Sequence, residues 1–110
     1  MKRLLRDQAA RAYDEELRRA LVPLANHFDD WRQGGINSAE LVELIEKFDR
    51  GPARRIWARY YDSDLVMSVA YAVHIGILDR ETVPAEALDA LRRALEFYAE
   101  QDRRQGWPAV

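Results

Sequence analysis

The chain has 110 residues, enough for one domain with its own core and too few for a second. Hydrophobic residues make up 48% and charged ones 33%, which excludes intrinsic disorder, and a formal net charge of −2 leaves no overall basic field to draw the molecule to DNA or anionic lipid. With no cysteine, disulfides, thiolate catalysis, iron–sulfur clusters and Cys-based zinc sites are excluded, a usage that fits a reducing cytoplasm.

The first eight residues are largely charged or polar and lack the apolar stretch of a signal peptide. From about Leu4 to about Trp31 the row Ala10, Tyr13, Leu17, Leu21, Leu24, Phe28 and Trp31 recurs at helical spacing, predicting a first helix that buries this row. Pro23 removes a donor inside it, so a kink is expected near Arg19 to Val22, and the unbroken row favours one kinked helix over two. Gly34 and Gly35 end it. Asn37 and Glu40 then form a capping box, with Ile36 and Leu41 as a hydrophobic staple, and a second helix starts at Ser38. Its apolar face is Leu41, Leu44, Ile45 and Phe48, opposite Glu40, Glu43 and Glu46.

Gly51 and Pro52 read as a stop and a restart, Gly as a left-handed cap and Pro in the first turn of a third helix to Tyr61. Asp62 to Asp64 cap a fourth helix, about Leu65 to Ile75, which is apolar almost all round and therefore belongs at the centre of the fold. The apolar run there, Leu65 to Leu78, is interrupted by Ser68 and His74 and is too short to span a bilayer. Gly76 ends it and Pro84 introduces a fifth helix, about Ala85 to Arg103, with Leu88, Leu91, Leu95 and Tyr98 inward and Ala87 and Ala94 allowing close approach. The sequence thus predicts an all-α, compact bundle of about five helices, one domain over residues 1–110 with a short tail at 104–110, in which Trp107 folds back onto the core or meets a partner.

The charge anomaly is Arg50, Arg54, Arg55 and Arg59, four arginines with no acid among them, interleaved with Trp57, Tyr60 and Tyr61. A helix N-terminus at Pro52 would add partial positive charge, so these arginines, with Trp57 and Tyr61, are the candidate residues for binding a partner or an anion. The bland reading is a solvated face balanced by Glu40, Glu43 and Glu46. Residues 70–84 have a helix-turn-helix look, but Ala85, Glu86 and Ala87 begin the second helix where DNA reading needs polar and basic groups. His27 with Asp29 and Asp30 offers at most a partial metal site, and His74 reads as a group at a helix C-terminus, so no metal or cofactor is expected.

Ser38, Ser63 and Ser68 sit in no nucleophile signature, and every carboxylate reads as a cap or a solvent-facing group, so no catalytic residues are assigned and the chain is read as non-enzymatic. Trp31 and Trp57 fit the edge of the core. The favoured function is a small cytoplasmic protein-interaction module, an adaptor, inhibitor or antitoxin-like regulator. Its partner is another protein or a second copy of itself as a homodimer, the acidic face of the second helix meeting the basic face of the third. The runner-up is a nucleic-acid or anion binder through Arg50 to Arg59. A small-molecule carrier with a pocket between Phe48, Trp57, Tyr60 and the central helix comes third, and no membrane partner is expected. The excess of arginine over lysine, fifteen to two, reads as bacterial usage.

Overall fold

In the computed structural model, which describes residues 1–105, the chain forms helices α1 (Lys2–Arg32), α2 (Ser38–Phe48), α3 (Arg54–Tyr61), α4 (Leu65–His74) and α5 (Ala85–Gln105), with no strand among these residues. The expectations placed on Gly106, Trp107 and Pro108 lie outside the described residues. Of the glycine stops predicted at Gly34, Gly51 and Gly76, the first and the last hold. Gly34 and Gly76 each adopt φ of +81°, a left-handed conformation that suits glycine, and each closes a Schellman turn. In the first, the Gly35 amide donates to the Asp30 carbonyl at 2.8 Å; in the second, the Ile77 amide donates to the Ala72 carbonyl at 2.8 Å. The capping box is present in both halves: Asn37 Oδ1 accepts from the Glu40 amide at 2.8 Å, and Glu40 Oε1 accepts from the Asn37 amide at 3.1 Å.

Two expectations are corrected. Gly51 is not left-handed, and the helix does not stop there: a π turn over Asp49–Ala53 joins α2 to α3, so four helical rods replace the five expected. The wider π turn accommodates Pro52, whose missing N–H and ring would disrupt a tighter α-helical ladder. It also takes up one extra residue, so that the inward row passes from Leu41, Leu44 and Phe48 to Ile56 and Tyr60. Pro23, by contrast, lies within an unbroken α1, as the sequence favoured.

The second correction concerns what α1 buries. Its fully buried residues are Leu5, Gln8, Ala9 and Ala12; of the expected row Tyr13 and Leu17 pack on the core half-buried, Leu24 and Phe28 are half-buried, and Ala10, Leu21 and Trp31 are exposed. The core gathers Leu5, Ala9 and Ala12 with Ile56 and Tyr60, four residues of α4, Leu78, Val83, and Ala87, Leu91 and Ala94 of α5. The expectation of a central fourth helix is met, since α4 packs against α1, α3 and α5. No residue of α2, and none of α1 beyond Ala20, belongs to or packs on this core. Those segments instead form a two-helix arm, with Leu41 buried and Trp31 Nε1–H donating to Ser38 Oγ at 3.0 Å. The radius of gyration is 17.4 Å, against about 13 Å for a compact domain of 100 residues, so the bundle is not compact.

Candidate functional site

The predicted arginines separate into two groups once the π turn sets their directions. Arg54 and Arg55 are exposed and make no ion pair among the described residues, while Arg50 pairs loosely with Glu46 at 3.5 Å on the same rod. Arg59 turns inward. Its guanidinium pairs with Glu16 of α1 and lies over the Tyr71 ring, 4.7 Å from the centroid. Burial acts to lower the Arg59 pKa, and the hydrogen bond and charge of Glu16 outweigh it, leaving the group above its ordinary value and permanently cationic. Arg59 is therefore a structural cation and not part of a free binding face. Because residues 38–61 form one continuous rod, Pro52 opens no helix N-terminus, and the partial positive charge expected there is missing.

Glu16 was not among the expected groups, and it overturns the reading that every carboxylate is a cap or faces solvent. Its side chain is 11% exposed. Burial, then the neighbouring Glu16 carboxylate, push the Tyr60 phenol far above its ordinary value. The Tyr60 hydroxyl and Glu16 Oε2 are both buried without a hydrogen-bond partner in bonding geometry among the described residues. Tyr60 is buried and Trp57 half-exposed, and the hollow that Trp57 lines includes neither Phe48 nor Tyr60 of the pocket expected there.

What remains on the outside is an aromatic platform. Trp57 is 50% and Tyr61 54% exposed, although a core-edge position was expected for Trp57. Their rings stack at 6.1 Å with planes 28° apart, and Tyr61 meets the edge of Tyr13 from α1 at 5.1 Å. Beside Trp57 lies a shallow hollow lined by Tyr13, Arg54 and Ala58 and bordered by Asp49 and Asp62. One cation between two carboxylates gives this hollow no positive excess. A second hollow, between α1 and α3, brings together Arg19, Arg55 and Arg59. Arg19 is held by Glu15 at 2.7 Å and Arg59 by Glu16, so Arg55 alone is uncommitted there. The sequence did not point to Arg19 because it and Arg55 are distant along the chain and border one hollow only in the fold.

Other candidates are placed elsewhere. Asp64 caps α4 by accepting from the Met67 amide at 2.9 Å, and the Ser63 and Ser68 hydroxyls donate to the backbone carbonyls of Ala58 and Leu65. His74 meets Asp102 of α5 at 2.6 Å and stacks on Tyr98, while His27 is half-buried in the arm. The segment 70–84 is a helix, a Schellman turn and a 3₁₀ turn at Arg80–Thr82 before α5, tied to α1 by Arg11, which donates to Thr82 Oγ1 at 2.8 Å. Among the described residues no three His, Asp or Glu side chains gather as metal ligands, and no helix is long and apolar enough to cross a membrane. No family model, curated protein or solved structure matches the chain.

Proposed function

We propose that the chain is a non-enzymatic protein-interaction module, an adaptor, inhibitor or antitoxin-like regulator, that docks a partner protein on the exposed side of α3 through Trp57, Tyr61 and Arg54. The observation that carries this is the half-exposed Trp57–Tyr61 stack, held from behind by Tyr13 and flanked by an exposed Arg54. Trp, Tyr and Arg dominate binding energy at protein interfaces, and rings already stacked in the free protein lose little freedom on docking. The test is purification of the tagged protein from its own cells, with and without nuclease, followed by affinity measurement. A stoichiometric protein partner that survives nuclease should bind at least about 30-fold more weakly to Trp57→Ala, the loss typical of a hot-spot residue. Binding unchanged by Trp57→Ala and Arg54→Glu would remove this face from the reading.

A nucleic-acid or anion binder is the second reading, supported by the convergence of Arg19, Arg55 and Arg59 on one hollow. Two of these guanidiniums already hold carboxylates, which leaves little charge to offer a phosphate. Its signature is an affinity that falls steeply with salt. Nucleic acid that co-purifies and is released by Arg55→Glu would place it first.

A further inference from the structure

The C-terminal half of α1 carries an apolar face that this chain leaves uncovered. Leu21 is 43% and Val22 54% exposed, and two open grooves run beside Leu17, Leu21, Ala25 and Phe28. Half-buried Phe28 lies between this side and the one turned toward α2, which the Trp31 to Ser38 contact marks. Asp14, Arg18, Leu21, Ala25, Phe28 and Arg32 follow one another at intervals of four, three, four, three and four, the seam spacing of packed helices. That series is symmetric about Pro23. When two copies of α1 run antiparallel across a two-fold axis there, Leu21 faces Ala25, a large residue against a small one, and Arg18 faces Phe28.

The charges at the ends select this arrangement. One end of the face carries Asp14 and Arg18, the other Asp29 and Arg32, each acid now only loosely paired with its neighbour at 4.0 Å and 3.5 Å in exposed positions. In the antiparallel register Asp14 meets Arg32 of the second copy and Arg18 lies beside its Asp29, so all four contacts are between opposite charges and recur by symmetry. A parallel pair in register would set each charge against its like. We propose that a second copy of this chain covers this face, α1 against α1, antiparallel and centred at Pro23, independently of the Trp57 surface.

Sedimentation velocity across a concentration series, with circular dichroism to check folding, tests it. The wild-type protein should dimerise, Leu21→Glu should be a folded monomer, and Asp14→Arg or Arg32→Asp alone should raise the dissociation constant about tenfold or more. The double reversal, Asp14→Arg with Arg32→Asp, should restore dimerisation. A monomer at every concentration overturns the proposal, as does a dimer indifferent to Leu21→Glu, or a double reversal no better than its single parents.

Discussion

At the scale of single residues the decisive pair is Glu16 and Arg59, which joins α1 to α3 beside Tyr60 and Tyr71. Removing one member of a partly buried pair strands the other, so Arg59→Met should cost about 1–2 kcal/mol in urea unfolding, less than for a fully buried pair, and adding Glu16→Leu should recover much of that loss. Tyr60 gives a pH signature. Below about pH 10 its phenol is protonated in the folded and unfolded chain alike; above that, the unfolded chain releases a proton that the folded chain retains, so stability falls as pH rises. Tyr98, raised by burial, acts in the same direction, and Tyr60→Phe should reduce the slope measured above pH 10. Glu16 could have been found in the sequence, since Leu5, Ala9, Ala12 and Glu16 form a row of their own at helical spacing. Its alanines carry little hydrophobic weight, and the larger side chains of the neighbouring row drew the prediction away.

At the scale of elements, the local chemistry of ends was legible and the pairing of faces was not. Asn37, Gly34, Asp64 and Gly76 each act within a few residues, and the structure places a cap or a turn at every one. Asn37→Ala should therefore cost about 1 kcal/mol, read from the thermal midpoint of the arm. The apolar α4 was legible because a helix without a polar side has one place to go, and the Leu91 row of α5 because it is the one apolar side of a charged helix. Leu91 is fully buried, and Leu91→Ala should cost 2–5 kcal/mol in denaturant unfolding, depending on how far the core can collapse around it. Gly51 and Pro52 misled because they are ordinary stop signals, and only tertiary packing of Ile56 and Tyr60 against α1 and α4 decides that the rod continues. The same error concealed the direction of Arg59, which depends on the rotation introduced upstream of it.

At the scale of the molecule, the described residues divide into a packed body and an arm, within extents of 51 × 43 × 24 Å. The arm buries Leu41 and little else fully, so amides of Leu41 to Phe48 should lose hydrogen-exchange protection at lower denaturant than those of Val69 to Val73. Coverage of α1 by a second copy should make protection at Leu21 to Phe28 rise with protein concentration. The π turn has a consequence of another kind, for chain length. Each residue of a helix turns its successors by about 100°, so inserting one more residue between Asp49 and Ala53 would move Arg55 and Arg59 into the places of Ile56 and Tyr60, whereas a deletion is absorbed as the π turn tightens into an α-helical one. Point substitutions at these exposed or half-buried positions change a surface; a single-codon insertion changes which side of α3 is the inside. The segment should tolerate wide variation in identity, and the loss of a residue better than the gain of one.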